Sequence, residues 1–363
     1  MEFCDLHRQY LEYKDEIDAA MASVIRETAF INGPAIAALE SELAEWCGAP
    51  FVNACSSGSD AIWLALKALD VREGDEIICP AFTFISTASM VRLTGAVPVF
   101  ADVETRSFNL DPEKIEAKLT PRTRGIIAVS LYGQCADMDA INKIAKKHGL
   151  WVLEDAAQSF GATYKGKYSC NLSDVATTSF FPAKPLGAYG DGGAIFTADP
   201  KIAETVRMLR NHGQEKRYYH KMIGMNGRMD TLQAAILRVK LRHFREEIKQ
   251  RQRAAEHYSS LLKNVADIPK ACEGRSSVWA QYTLRVPQRD TLREALKAAG
   301  IPTAVHYPMP LPAQEAFADL EQDGKFPVSD RLAETVISLP MHPFLTSEEI
   351  HFIADNLREA LNE

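Results

Sequence analysis

The run Leu150-Trp-Val-Leu-Glu-Asp155-Ala-Ala-Gln158 carries four apolar residues straight into two carboxylates, and small residues follow. A short continuous apolar run of this kind reads as a strand buried on both faces, the habit of parallel rather than antiparallel sheets. Working outward, comparable β-rich runs occur at Glu76-Ile-Ile-Cys79, Val97-Pro-Val-Phe100, Gly125-Ile-Ile-Ala-Val-Ser130 and Ala176-Thr-Thr-Ser-Phe-Phe181. Helical segments such as Met138 to His148 separate several of them. Buried strands alternating with helices predict an α/β fold, a mainly parallel sheet covered on both faces. Ligands of such sheets collect at the carboxyl ends of the strands. Asp155 closes one predicted strand and Lys184 lies just beyond another, so the two are expected to share a site.

With 363 residues, of which 46% are hydrophobic, the chain can bury a large core and is expected to form two domains. An amphipathic helix is predicted from Asp5 to Glu27, ahead of the turn Asn32-Gly-Pro34, and a second from Ala35 to Cys47, stopped by Gly48. Ala61 to Leu69 is also helical in period. A long helical pattern runs from Asp230 to about Lys263, with Asp230 and Gln233 spaced as a capping box. Its length suits a helix that bridges two domains. The remainder reads as a smaller α+β unit: a strand over 279–286, a helix over 291–299 closed by Gly300, and a strand near 303–307. A last helix follows a capping box of Thr346 and Glu349. The expected division is a large domain over 1–240, including the N-terminal helix, and a smaller domain over 241–363.

Charged residues make up 25% of the chain, an ordinary globular value, and the net charge is -7. That balance counts against nucleic acid or an anionic membrane as the main partner. It leaves room for a few local cations to hold a diphosphate. The seven cysteines are scattered, odd in number and show no CxxC pair, so reduced and mostly buried thiols are expected, without a disulfide framework or a metal site. The N-terminal residues lack an apolar signal core, and no segment approaches a membrane span. A cytoplasmic location is expected.

Pyridoxal 5'-phosphate (PLP) requires an amine, an anion at its ring nitrogen, donors for its phosphate and a flat surface against its ring. Lys184 lies in Ser179-Phe-Phe-Pro-Ala-Lys184-Pro-Leu-Gly-Ala-Tyr-Gly-Asp-Gly-Gly193, between two prolines and ahead of four glycines. Prolines stiffen such a loop and glycines let backbone approach a ligand. A lysine taken alone is usually a solvated loop residue; this setting makes a Schiff-base amine the favoured reading. Asp155 needs a partner to offset its burial, and a pyridinium N–H supplies one. The alternative is a helix cap for Ala-Ala-Gln. Gln158 is placed to meet the ring hydroxyl. Gly58 and Ser59 open a helix whose N-terminal amides suit a phosphate, with Ser179 as a further hydroxyl. Phe84 is a candidate to stack on the ring, although packing is the commoner role of a phenylalanine. The segments Arg210 to Lys221 and Gly224 to Arg228 concentrate cations in an acidic chain, and His306-Tyr307-Pro308 offers two polar tips.

In this order the pieces resemble the DegT-type family of nucleotide-sugar aminotransferases, and the likeness spans nearly the whole chain. Its most specific portions are Glu154 to Gly161, Ser179 to Gly193 and Gly224-Met-Asn-Gly-Arg-Met-Asp230. The resemblance implies a fold type I PLP architecture, with a seven-stranded, mainly parallel sheet between helices and a smaller C-terminal α+β domain. Val129 to Asp137, Ser169 to Ser173 and Ala304 to Pro308 resemble the branch that aminates a UDP-linked 3-keto-2-acetamido uronic acid. That branch uses L-glutamate, passes through pyridoxamine phosphate and serves bacterial surface polysaccharide. By position the resemblance makes Lys184 the Schiff-base lysine and proton shuttle, Asp155 the ring-nitrogen partner, Gln158 the ring-hydroxyl contact and Phe84 the stacking ring. Gly58, Ser59 and Ser179 fall on the phosphate. Asn226 falls on a phosphate contact across a homodimer with shared active sites. Arg228, His306 and Tyr307 align with substrate positions. Two departures touch substrate contacts: Phe30 stands where the branch can present a tyrosine, and Ala183 where a serine is common.

A PLP-dependent sugar dehydratase on the same fold typically carries histidine at the lysine position, so Lys184 argues against it. No GxGxxG follows the first strand, which weakens a nicotinamide dehydrogenase. A PLP-like scaffold without activity, and an aminotransferase acting on 4-keto sugars, remain as alternatives.

Overall fold

The computed structural model describes residues 1–320 and 325–362. Helices α1 (Leu6–Glu27) and α2 (Pro34–Cys47) lead into β1 (Phe51–Cys55), α3 (Gly58–Ala68), β2 (Glu76–Pro80), α4 (Ser86–Leu93) and β3 (Val97–Ala101). There follow β4 (Thr123–Val129), α5 (Met138–His148), β5 (Trp151–Asp155), a small ribbon of β6 (Thr163–Tyr164) and β7 (Lys167–Tyr168), β8 (Val175–Ser179), β9 (Gly193–Thr197) and α6 (Pro200–Leu209). A second ribbon, β10 (Gln214–Lys216) and β11 (Tyr219–His220), precedes the long α7 (Thr231–Leu262). The C-terminal part holds β12 (Tyr282–Arg285), α8 (Arg289–Ala298), α9 (Pro327–Thr335), β13 (Val336–Leu339) and α10 (Ser347–Asn362).

Seven strands form one sheet in the order β1-β9-β8-β5-β4-β2-β3. The five from β8 to β3 run parallel, and β9 pairs antiparallel with both β8 and β1. Strand alternation sends Ile127 and Leu153 to a core shared with α3 and α4, and Ile126, Ala128 and Val152 to one shared with α5. On α7, Leu237, Leu241 and Phe244 pack with Phe160, Phe180 and Phe196, whereas Ala254, Tyr258 and Leu262 pack with Tyr282, Leu292 and Ile353. One helix thus serves two cores.

The parallel strands coincide with the apolar runs of the sequence, while β1 and β9 lie outside them: Asn53 interrupts one and the other begins at a glycine. The helix expected from Ala61 starts at Gly58, because the Ser57 hydroxyl accepts the Asp60 amide (3.0 Å) and caps it. Asp230 precedes α7 but makes no side-chain cap; the Gln233 carbonyl accepts the Tyr189 amide instead (2.8 Å). The box at Thr346 and Glu349 is made in both directions, at 2.9 and 3.1 Å. Trp279 sits at φ 50°, a left-handed conformation that delays the strand expected from 279 until Tyr282. The strand expected near 303–307 is reduced to a bridge between Ala304 and Ser338. Pro308 and Pro310, which have no N–H to donate, follow closely. All seven cysteines are free, five of them buried. Among the described residues no helix is long and apolar enough to cross a membrane.

Helix α9 is capped from a distance. Buried Asp102, just past β3, accepts the amides of Val328 and Ser329 (both 3.0 Å) and the Ser329 hydroxyl (2.6 Å). A carboxylate at a helix N-terminus satisfies orphan amides and meets the positive end of the dipole. Asp102→Ala should therefore lower unfolding free energy by about 2–3 kcal/mol, measured by urea denaturation.

Candidate active site

Three chain turns meet at the carboxyl edge of the sheet. Asp155 is the last residue of β5 and is buried; Glu154, its neighbour, points to the opposite face. Asp155 accepts the Thr87 hydroxyl (2.9 Å) and the Ala157 amide (3.2 Å). Burial raises its pKa, and the two donors and the positive charge of Lys184 offset this only in part. Glu154 is also pushed up by burial, and is held by Ser130 Oγ (3.0 Å), Ser169 Oγ (2.7 Å) and the Cys170 amide (2.9 Å).

Lys184 stands on the loop between β8 and β9. Its amide donates to Phe181 O (2.8 Å), and the Ala188 amide donates to Phe180 O (2.7 Å), closing a compact turn. The side chain is half-buried. Burial lowers its pKa against the pull of Asp155, so a neutral, nucleophilic amine is more accessible than on a surface lysine.

Helices α3 and α4 both begin at this edge, side by side. Ser59 Oγ lies 2.7 Å from Ser86 Oγ, one residue before Thr87. A Cβ built on Gly58 would stand 2.6 Å from Ser179 Cβ, so glycine lets the α3 N-terminus close on the end of β8. Ser179 Oγ accepts the Phe181 amide (3.3 Å). The result is a concave rim of amides and hydroxyls suited to an anion.

Gln158 accepts the Tyr132 amide (2.7 Å) and donates to the Tyr307 hydroxyl (3.3 Å). The Phe84 ring, exposed, stands 6.0 Å from the Tyr307 ring at 37°. His306 meets Ser338 Oγ through Nδ1 (3.2 Å), and its carbonyl accepts the Tyr132 hydroxyl. Burial, then the charge of Lys184, pull His306 down to about 4, so its imidazole is neutral at pH 7.

The structure thus brings Lys184, Asp155, Gln158, Gly58, Ser59, Ser179, Phe84, His306 and Tyr307 to one edge. The other candidates make no side-chain hydrogen bond or ring contact with this cluster among the described residues. Phe30 and Ala183 are exposed, as is Asn226. Arg228 donates to Asn211 Oδ1 (2.8 Å) and buries its Nε without a partner among the described residues. Thr87, Ser86 and Tyr132 escaped the sequence reading. The signal for the first two was a pair of hydroxyls opening a helix directly after a buried strand.

Residues 12–358 match the model of the DegT/DnrJ/EryC1/StrS aminotransferase family. The chain belongs to this family. It is 53% identical over 97% of its length to a UDP-2-acetamido-2-deoxy-3-oxo-D-glucuronate aminotransferase of Pseudomonas aeruginosa, of which it covers 98%. Among solved structures, DesV of S. venezuelae superposes with a TM-score of 0.97 at 39% identity, covering all of this chain and 98% of that one. NtdA of Bacillus subtilis, solved with bound cofactor PMP, gives 0.91 at 30% identity, covering 97% and 82%.

Aminotransferases of this family use PLP, and the residues present fit it. Asp155 has a raised pKa that a cationic ring N–H would relieve, and across from it on β8 Thr177 Oγ1 is buried without a partner among the described residues. Thr87→Val removes one of the two donors that hold the Asp155 carboxylate ionised. It should weaken PLP binding by about tenfold, the worth of one charge-assisted hydrogen bond, in an absorbance titration of the cofactor-free aminotransferase.

Proposed function

We propose that this aminotransferase converts a UDP-linked 3-keto-2-acetamido uronic acid into its 3-amino form, with L-glutamate as donor and 2-oxoglutarate as co-product. The observation that carries the substrate is the 53% identity, over 97% of the chain, to the Pseudomonas enzyme named for such a sugar. We assign the reaction to bacterial surface polysaccharide (O-antigen) synthesis in the cytoplasm.

In this reading Lys184 is the covalent anchor and the proton carrier, a role that its lowered pKa favours. Asp155 holds the ring nitrogen protonated, and Thr87 in turn holds Asp155. Bound PLP supplies an electron sink for the carbon that loses its proton. Gly58, Ser59 and Ser179 take the phosphate; Phe84 covers one face of the ring. Gln158, oriented by the Tyr132 amide, addresses the ring hydroxyl. His306, being neutral, offers the sugar a hydrogen bond rather than a charge, with Tyr307 beside it.

The charge for a uronate carboxylate falls to Arg228. Asn226 makes no hydrogen bond to the Lys184 cluster among the described residues, and the reading assigns it to a phosphate in the site of a second copy in a homodimer. The reading also gives Phe30 and Ala183, both exposed, to the substrate contacts. The proposed division takes residues 1–240 as the PLP-binding unit and 241–363 as the smaller one; a second core from Ala254 onward supports two units, while Leu241 and Phe244 still pack in the first core.

Ping-pong kinetics are expected, since donor and acceptor use the same amine in turn. Borohydride fixation followed by peptide mapping should locate PLP on Lys184, and Lys184→Ala should lose transamination by at least about a thousandfold. Native activity of that variant would defeat the assignment. Stopped-flow spectra of the pyridoxamine form against UDP- and dTDP-linked 3-keto and 4-keto sugars test the substrate. Turnover of 4-keto sugars alone would overturn it and leave the cofactor chemistry standing.

A further inference from the structure

The Lys184 loop is gripped from beneath by α7. Gln233 accepts the Tyr189 amide (2.8 Å), and seven residues later, two turns along the same stripe, Lys240 donates to the carbonyl of Gly187. Gly187 is the tightest point of the loop: a Cβ there would stand 2.3 Å from Pro182 O and 2.8 Å from Phe181 O. Any shift of this carbonyl therefore moves the segment that carries Lys184.

Lys240 is 2% exposed, and its ammonium lies 5.2 Å from the centre of the Tyr189 ring. Burial pulls its pKa down to about 8; Glu247 and Cys4 pull it back up, and Arg251 pushes it further down. No carboxylate comes within ion-pair distance of it among the described residues, since Glu247 is taken up by Gln9 of α1 (2.8 and 3.0 Å). A cation this deeply buried without an ion pair costs stability. Below about pH 8 the cost is fully present; it fades as pH rises from there toward the ordinary lysine value.

We propose that Lys240 is a positioning residue, holding the Lys184 loop in its reactive geometry through the Gly187 carbonyl. The proposal rests on the reading of Lys184 as the covalent anchor. Lys240→Met keeps the volume and removes the donor, whereas Lys240→Gln keeps an N–H for Gly187 O without the charge. In the holoenzyme, single-turnover amino transfer from L-glutamate should slow about tenfold in Lys240→Met, with saturation at an unchanged glutamate concentration. Lys240→Gln should recover most of that rate.

Two readouts do not depend on the cofactor. In cofactor-free protein, hydrogen exchange of residues 180–188 should quicken in Lys240→Met and not in Lys240→Gln. The unfolding midpoint of Lys240→Met should hold or rise, because an unpaired buried charge is gone. Equal rates and equal exchange in wild type and Lys240→Met would overturn the proposal. So would equal impairment of both variants together with a lowered midpoint, which marks a residue that merely supports the fold. If Lys184→Ala transaminates at the native rate, the anchor assignment fails instead, and the exchange contrast still decides whether Lys240 holds the loop.

Discussion

A carboxyl group at the end of a strand buried on both faces is expensive to keep ionised, and the arrangement around β5 is organised by that expense. Asp155 is too deep for water to solvate it, so it draws on a helix-opening hydroxyl, a backbone amide and a nearby amine. Each of these arrives from a different connection of the sheet. The raised pKa that remains reflects what the chain alone leaves unmet, and on the proposed reading a protonated ring nitrogen meets it.

Parallel strands make this possible. They bring the starts of α3 and α4 and the loop after β8 to one edge, so amides, hydroxyls and an amine converge without any segment crossing the core. Glycine is required where those turns touch. At Gly58 the helix start meets Ser179, and at Gly193 a Cβ would stand 2.4 Å from Ser57 O. A side chain at either position would push the rim of amides and hydroxyls away from the lysine. The small C-terminal part adds His306 and Tyr307, joined to the sheet side by Tyr132, whose amide orients Gln158 and whose hydroxyl meets the His306 carbonyl.

Much of this was legible in the residues. Continuous apolar runs located the parallel strands, because burial on both faces leaves no polar positions to break the pattern. Asp155 and Lys184 were legible as a pair through their place at strand ends. Strands β1 and β9 were not, since Asn53 and the leading glycine erase the apolar signal and only pairing in the sheet, β9 on β8 and β1 on β9, supplies it. Thr87 was invisible for another reason: a threonine in a helix's first turn has many local uses, and its partner is 68 residues away. Asp230 and Gln233 had the spacing of a capping box, yet the glutamine amide was taken by a more distant backbone group. Local motifs state what a side chain can do; packing decides which option it takes.

The amine, the acid and the rim of amides and hydroxyls are all encoded before residue 194, whereas His306 and Tyr307 come from beyond residue 300. These two blocks are joined at the site by Tyr132 and Gln158, and away from it by the Asp102 cap on α9 and the packing of Phe100 on Phe317. On the proposed reading, drift at His306 and Tyr307 can alter part of the sugar contact while the amine and the acid are inherited unchanged.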